Sequence, residues 1–302
     1  MQQPEVLTIY RGHREWVSTL SWLPDGRHIV SGSADGTVQL WESDSGKNVL
    51  MYNGHSLGVT AVACSPDGSS IASASLDTTV QVWDAQSGKT QTAYRGHSAW
   101  IRRALAWSPH GRRIASGSWD RTVQVWDAFS GEDLLTYRGH EGVVCAVAWS
   151  PDGRYLASGG GIPDKSVQVW HAEAGERLLS YREHLSSVHS VRWMADGKRI
   201  LSGGARSHAC LWEVTTGKTL VLYYYSDETG LVWSPDEQYF LCQTHGMVEI
   251  WVAHSDKCVY RSPSQMYKIN AMSWSPDGTR IAFGGHNKTV VVWNVEPLLA
   301  KS

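Results

Sequence analysis

The sequence predicts an all-β fold built from seven similar units of four short strands each. The first observation is an unusual composition, with 16 Trp against 3 Phe in 302 residues. The second is a regular spacing of a Trp that ends a β-branched run, with intervals between 39 residues (212 to 251) and 44 residues (126 to 170). A fixed period of this length is the signature of a repeat architecture. The seven positions are Trp41, Trp83, Trp126, Trp170, Trp212, Trp251 and Trp293.

Each unit divides into strands separated by turn residues. Val17 to Trp22 alternates with period two, as a half-buried strand does. Pro24-Asp25-Gly26 then predicts a turn, because Pro presets φ, Asp bonds its own backbone and Gly accepts a positive φ. In unit one the remaining strands are predicted at 28–33, 37–41 and 48–52. No segment carries a long apolar period of 3.6 residues, so we expect no sizeable helix.

Two dipeptides mark most units, Gly-His near the start and Trp-Asp near the end. Gly-His occurs at 12–13, 54–55, 96–97 and 139–140, and Trp-Asp at 83–84 and 126–127. Together with the period, they resemble the WD40 repeat, whose units form the four-stranded blades of a propeller. The resemblance covers essentially the whole chain and implies one seven-bladed β-propeller domain of residues 1–302. Because the repeats are so similar to one another, the array looks like the bacterial-type WD40 arrays.

The spacing of tyrosines predicts how the ring closes. In the first five units a Tyr follows the third-strand Trp by 11 residues, as Tyr52 follows Trp41 (52 − 41 = 11). After Trp293 this position would be 304, beyond the last residue, whereas residues 6–10 resemble the missing strand and end in Tyr10. We therefore expect residues 6–10 to complete the seventh blade, which would remove exposed strand edges.

Ser, His and Asp recur together at fixed offsets from the third-strand Trp. A hydrolase needs one such triad with an oxyanion hole and a cleft, so several equivalent copies favour a structural role. In WD40 proteins, which these repeats resemble, such groups form a hydrogen-bonded chain to the indole N–H. Unit four has Ile162 where the serine is expected, and we expect units five to seven to lose further members. The predicted tetrads are His13, Ser33, Asp35 and Trp41; His55, Ser75, Asp77 and Trp83; and His97, Ser118, Asp120 and Trp126.

Charge and cysteine content exclude several classes of function. Lys+Arg 27 against Asp+Glu 29 gives a net charge of −2 without a block of like charge, so neither nucleic acid nor membrane is an expected partner. The five cysteines lack CxxC spacing, which disfavours a disulfide framework or a zinc site and indicates a reducing, cytoplasmic compartment. No histidine pattern or glycine-rich loop indicates a metal, a cofactor or a catalytic residue.

Three tryptophans lie outside the repeat series and indicate a binding surface. Trp16 and Trp100 precede first strands, and Trp119 precedes Asp120. Loops normally favour small polar residues, so large apolar groups there are informative. We predict that the face carrying these loops, conventionally the top, binds a protein or peptide, with Arg102, Arg103 and Arg121 nearby to capture acidic groups. The predicted partner-binding residues are Trp16, Trp100, Trp119, Leu57, Leu76 and Arg14.

Alternatives to this interpretation stay open at the level of sequence. Each of the three tryptophans could pack over its own blade. The exposed indoles could instead stack on sugar rings in a carbohydrate-binding propeller. An enzyme is disfavoured, because no acid–base pair stands out beyond the repeat. We therefore expect a non-enzymatic scaffold or regulatory module, either monomeric or part of a larger multidomain protein.

Overall fold

The computed structural model describes residues 3–204, 208–224, 231–244, 246–253, 255, 257–262 and 268–300. Within these residues the chain forms seven four-stranded antiparallel sheets, numbered below as blades in chain order, and one short helix. The all-β, seven-bladed propeller predicted from the sequence is confirmed. In blades one to six, strands that follow one another along the chain are also neighbours in the sheet, as antiparallel strands joined by short turns are.

The strands of the first half follow the predicted spacing closely. The first strand is β1 (Glu5–Tyr10). Blade one contains β2 (Val17–Trp22), β3 (His28–Ser33), β4 (Val38–Glu42) and β5 (Asn48–Tyr52). Blade two contains β6 (Val59–Cys64), β7 (Ser70–Ser75), β8 (Val80–Asp84) and β9 (Thr90–Tyr94). Blade three contains β10 (Ile101–Trp107), β11 (Arg113–Ser118), β12 (Val123–Asp127) and β13 (Asp133–Tyr137).

The second half continues the pattern with a shorter first strand in blade six. Blade four contains β14 (Val144–Trp149), β15 (Tyr155–Gly160), β16 (Val167–His171) and β17 (Arg177–Tyr181). Blade five contains β18 (Val188–Trp193), β19 (Arg199–Gly204), β20 (His208–Glu213) and β21 (Thr219–Tyr224). Blade six contains β22 (Val232–Trp233), β23 (Tyr239–Thr244), β24 (Met247–Val252) and β25 (Cys258–Arg261). Blade seven contains β26 (Ile269–Trp274), β27 (Arg280–Gly285) and β28 (Val290–Asn294), and α1 (Glu296–Leu299) follows.

Both ends of the chain build blade seven. Its sheet has the order β1-β28-β27-β26, and β1 pairs antiparallel with β28, with Thr8 opposite Val292 and Tyr10 opposite Val290. The predicted closure by residues 6–10 is therefore confirmed, with the strand beginning one residue earlier, at Glu5. Pairing β1 with β28 covers an edge that would otherwise be open to another chain.

The apolar core lies between neighbouring blades. The ring of Tyr52 at the end of blade one stacks on Trp83 of blade two, with centroids 4.9 Å apart and planes 6° from parallel. Tyr10 stacks in the same way on Trp41 at 4.3 Å, which ties the closing strand to blade one. Stacked aromatic pairs add about 0.5–1.5 kcal/mol beyond the burial of their area. In blades one to four, the tyrosine that ends the fourth strand thus stacks on the third-strand Trp of the next blade.

Blade three carries an irregularity that matters for the top face. The register of β10 on β11 shifts between Ile101, opposite Ser118, and Leu105, opposite Ser116. Four residues of β10 therefore match two of β11, and Arg103 adopts a φ of 66°. The sequence shows the same irregularity, because 13 residues separate Tyr94 from Trp107, whereas 12 separate Tyr52 from Cys64 in the preceding repeat (107 − 94 = 13; 64 − 52 = 12). Bulges of this kind re-aim side chains, and this one directs Arg103 toward blade seven, where its Nη2 lies 3.4 Å from the Asn270 carbonyl oxygen.

The cysteine thiols and the length of the helix bear on which functions the chain can have. All five cysteines are free thiols, and burial raises the pKa of Cys64 to about 12. Such a thiol is almost entirely protonated at neutral pH and therefore a poor nucleophile. Among the described residues, no helix has the length and hydrophobicity needed to cross a bilayer.

Candidate functional site

The recurrent polar groups form hydrogen-bonded chains, although through a different serine from the one predicted. In blade one, His13 Nε2 lies 2.8 Å from Ser31 Oγ, and Trp41 Nε1 donates to the same oxygen at 3.1 Å. The other ring nitrogen of His13 lies 3.2 Å from the Asp35 carboxylate. The prediction of Ser33 was wrong.

The register of the sheet explains this correction. Ile29 lies opposite Trp41, so Ser31 is the diagonal neighbour of the indole, whereas Ser33 lies about 13 Å farther along the strand than Ile29. Ser33 instead donates to the Glu15 carbonyl at 3.1 Å and so ties the preceding loop to β3. The serines that contact the histidine in blades two and three are likewise Ser73 and Ser116, not Ser75 and Ser118.

Blade four also contains a complete chain, contrary to the sequence prediction. Ser158 Oγ lies 2.7 Å from His140 Nε2 and accepts a hydrogen bond from Trp170 Nε1 at 3.1 Å, and Asp164 contacts the other side of His140. The serine lies at position 158 and not at 162, because the two extra residues of this blade lie in the loop between β15 and β16 and not in the strand. In blade two, by contrast, Trp83 Nε1 has no hydrogen-bond partner among the described residues.

The later blades satisfy or replace the indole contact differently. In blade six, Trp251 Nε1 donates to the Glu249 carboxylate at 2.9 Å. In blade seven, Phe283 stands where blade one has its serine and packs edge-on against Trp293 at 4.6 Å. The predicted loss of tetrad members therefore begins in blade five, and apolar packing or a buried carboxylate takes over the structural role.

These Ser-His-Asp groups are structural. Ser31 is fully buried and already accepts the indole N–H, so its oxygen cannot reach a substrate. Burial alone would raise the pKa of Asp35, but hydrogen bonds from His13 and Thr37 hold that pKa far below its usual range. A permanently charged carboxylate orients the histidine and stabilises the turn that carries it.

Two loop positions in each of blades one to four and in blade seven form the rim of the top face. One position directly precedes the first strand, and the other directly follows the last residue of the second strand. The backbone N–H of the second position donates to the carbonyl of the first, as Trp119 does to Trp100 at 2.9 Å. Since the bond fixes the two backbones together, the two positions of each pair lie side by side on the rim. The rim pairs are Trp16 with Ala34, Gly58 with Leu76, Trp100 with Trp119, Val143 with Gly161, and Lys268 with His286.

A cavity of about 580 Å³ opens inside this rim, over blades seven, one, two and three. The indoles of Trp16 and Trp100 at its mouth are 45% and 46% exposed, and that of Trp119 is 36% exposed. Trp16 lies against His286 with centroids 5.1 Å apart, and Trp100 contacts Trp119 at the same distance. Leu76 completes the apolar wall. The four residues thus share one cavity, although they come from three blades.

Two of the predicted partner-binding residues lie outside the lining of this cavity. Gly58, not Leu57, is the repeat counterpart of Trp16, so the exposed Leu57 side chain is offset by one residue from the rim. Arg14 is exposed, and its backbone N–H donates to the Asp35 carboxylate at 2.8 Å.

Cationic groups line the same cavity. Arg102 and Arg103 come from the bulged strand of blade three, and Lys268 comes from the rim of blade seven. A second cavity of about 250 Å³ lies on the other side of Trp119 and is also lined by both arginines. No aspartate or glutamate lines either cavity among the residues that the structure describes. The site can therefore hold an apolar group and an anion together.

Sequence reasoning missed the contribution of blade seven. Lys268 holds the same rim position as Trp16, and His286 holds the same position as Trp119. Aligning all seven units on these two positions would have found them. The search for unusual tryptophans alone could not, because neither residue is apolar.

Comparison with known protein families matches the repeat directly. The model of the WD domain, G-beta repeat family matches residues 4–42, 46–84, 88–127, 131–171, 175–213 and 256–294. This chain belongs to the WD40 repeat family. The stretch between the fifth and sixth matches corresponds to blade six, where Gly-His is absent and Glu249 replaces the serine as partner of the indole.

Named relatives of this WD40 protein match over about one repeat each. Protein tipD of Dictyostelium discoideum is 48% identical over 40 residues, 13% of this chain and 6% of its own length. The ribosome biogenesis protein ERB1 of Debaryomyces hansenii is 48% identical over 42 residues, 14% of this chain and 5% of its own. The ribosome biogenesis protein BOP1 homolog of Drosophila grimshawi is 49% identical over 39 residues, which are 13% of this chain and 5% of its own length. These relatives are eukaryotic, so the expected bacterial-type resemblance is not confirmed.

Proposed function

We propose that this WD40 propeller is a non-enzymatic docking scaffold that binds an acidic and partly apolar segment of a partner protein across its top face. The observation that supports this function is the grouping of three exposed indoles with cationic side chains around one cavity. The five free thiols favour a reducing, cytoplasmic location. The propeller would act alone or as one module of a larger protein.

The indoles supply the apolar part of the proposed contact. Tryptophan is enriched among the residues that dominate binding energy, because it is large, rigid and able to donate a hydrogen bond. If a partner covers about 100 Å² of each indole, burial stabilises the complex by roughly 2.5 kcal/mol per indole. Trp16, Trp100 and Trp119 together would then provide enough energy to hold a short peptide.

The cations supply selectivity for an acidic partner. A guanidinium forms two parallel hydrogen bonds with a carboxylate, and Arg102 and Arg103 offer two guanidiniums beside the indoles. The carbohydrate alternative finds no support in the relatives named above. A neutral sugar would also bring no anionic group to the cations that line the cavity.

A peptide-display selection tests the proposal. The purified chain is presented to a library of random linear peptides, and enriched sequences are synthesised with a fluorescent label for anisotropy titration. We expect enriched peptides to combine aspartate or glutamate with an aliphatic or aromatic residue. Trp100→Ala and Trp119→Ala should each weaken binding by about 30-fold, equivalent to ~2 kcal/mol, while changing stability far less.

Phe129 provides a matched control. It is an aromatic side chain with 54% exposure, and it lies in the turn between β12 and β13, away from the rim positions. Phe129→Ala should leave the affinity of the selected peptides unchanged. The proposal fails if enriched peptides carry no acidic residues, if binding is insensitive to Trp100→Ala and Trp119→Ala, or if a glycan array gives specific binding where the peptides give none.

A further inference from the structure

Blade five replaces the polar surroundings of the repeat histidine. In blade one, Thr37 Oγ1 and the Asp35 carboxylate both contact His13 Nδ1, and the Gln39 amide donates to the carbonyl of the preceding residue, Gly12. Thr37 and Gln39 lie four and two residues before the third-strand Trp41 of blade one. At the same two positions before Trp212, blade five has His208 and Cys210. The histidine itself is kept, as His184, and its Nε2 still lies 2.7 Å from Ser202 Oγ.

Two further substitutions in blade five fit the same change. In blade one a Cβ at Gly12 would collide with the Gln39 amide and the Tyr10 hydroxyl, so this position must be glycine. Blade five has Glu183 there, and the loss of the bulky amide at Cys210 removes one of those obstacles. On the other side, Gly204 stands where blade one has a serine, and a Cβ on it would lie 3.3 Å from His184 Nδ1. The substitutions therefore leave space around one ring nitrogen.

Three metal-ligating atoms converge on this space. A ring nitrogen of His184, a ring nitrogen of His208 and the Cys210 sulfur all lie within 4.8 Å of one another. His184 Nδ1 is buried and has no hydrogen-bond partner among the described residues, whereas its counterparts in blades one to four face an aspartate. An unpaired nitrogen in a buried site is costly, and its lone pair is available to a ligand.

The hydrogen bonding of His184 suits a ligand. A neutral imidazole carries one proton, and with that proton on Nε2 it donates to Ser202 and keeps the Nδ1 lone pair free. Histidines that bind metals commonly hold their second nitrogen in a hydrogen bond of this kind.

We propose that His184, His208 and Cys210 form a zinc-binding site in blade five. Two imidazole nitrogens and one thiolate match the preference of Zn²⁺, and water would take the fourth tetrahedral position. Zn–N bonds of about 2.0–2.1 Å and a Zn–S bond of about 2.3 Å require ligand atoms roughly 3.3–3.6 Å apart. The three atoms lie within 4.8 Å of one another, so the longest of their separations would have to shorten by about 1.2–1.5 Å on binding. On binding, the Cys210 thiol releases its proton to solvent and the sulfur bonds the metal.

Cobalt and zinc titrations of the full chain test the site. After removal of metals with a chelator, Co²⁺ is added and the thiolate-to-cobalt charge-transfer absorption is followed; Zn²⁺ is then added to displace it. We expect one metal ion per chain and a higher Tm with Zn²⁺. Cys210→Ser should abolish the charge-transfer band. His208→Thr, which restores the residue of blades one to three, should weaken Zn²⁺ binding by more than the ~10–100-fold that losing an outer partner costs.

Cys64→Ser serves as the matched control, since it removes a half-buried thiol from blade two and leaves blade five intact. Its cobalt band and zinc-dependent Tm should equal those of the unaltered chain. Circular dichroism establishes that each variant is folded before it is compared. The proposal is overturned if the folded chain shows no thiolate–cobalt band, if the band survives Cys210→Ser, or if folded His208→Thr binds Zn²⁺ as tightly as the unaltered chain. The peptide-binding test of the top face is unaffected by any of these outcomes.

Discussion

Replacing Ser31 by alanine is the sharpest test of the hydrogen-bonded chains. The Ser31 hydroxyl contacts His13 Nε2 at 2.8 Å and accepts from Trp41 Nε1 at 3.1 Å, at a fully buried position. Ser31→Ala removes only one oxygen, so cavity formation adds little to the cost. The two nitrogens left behind have no access to water, and their desolvation dominates the effect.

The expected magnitude follows from the number of groups left unpaired. Each buried polar group without a partner costs about 1–3 kcal/mol, so Ser31→Ala should lower the free energy of unfolding by about 3 kcal/mol. In blade two, Trp83 Nε1 has no partner among the described residues. Ser73→Ala would therefore leave only His55 Nε2 unpaired and lower the free energy of unfolding by about 1.5 kcal/mol. Ser33→Ala removes the bond to the Glu15 carbonyl and the bond that Ser33 Oγ accepts from the Asp35 N–H. Because Glu15 is exposed and Asp35 is half-buried, water can replace the lost partner, and the cost should be about 1 kcal/mol.

Urea denaturation of the three variants, followed by tryptophan fluorescence, measures these differences. The slope of unfolding free energy against urea must stay constant for the comparison to hold. We expect the loss of unfolding free energy to be largest for Ser31→Ala, smaller for Ser73→Ala and smallest for Ser33→Ala. If Ser33→Ala costs as much as Ser31→Ala, the assignment of Ser31 to the chain is wrong and the sequence-based choice of Ser33 stands.

Two further perturbations follow from the same structure. Because hydrogen bonds hold the pKa of Asp35 far below the ordinary value of about 3.9, the unfolded chain takes up protons first as the pH falls. The free energy of unfolding should therefore decline as the pH drops below about 5, and Asp35→Asn should reduce that dependence; an unaltered dependence would contradict the role of Asp35. Deletion of residues 1–10 removes β1, exposes the edge of β28 and uncovers Trp41. It should cause aggregation or lower the Tm by roughly 10 °C or more, and a monomer with an unchanged Tm would refute the closure.

The fold could be predicted because local features of the sequence determine it. Strand alternation, the turn at Pro24-Asp25-Gly26 and the recurrence of Trp every 39 to 44 residues are short-range signals, and repetition made them reliable. Asp25 accepts the N–H of Arg27 at 2.7 Å, and Gly26 has a φ of 65°, as the turn chemistry requires. Even the closing strand could be predicted, because it had to supply a tyrosine at the vacant position of the period.

Only the tertiary structure decided which side chains meet. Ser31 and Ser33 lie on the same face of one strand, so sequence could not choose between them, and the strand register did. The cavity joins Trp119 to Lys268, which are far apart in the sequence. Likewise, His184 and His208 share no ligand-like spacing, yet the turns between strands of blade five bring their rings to 5.6 Å. Spacing along a chain reports local backbone geometry, whereas these contacts depend on strand register within a blade and on distances between blades, which only the folded propeller fixes.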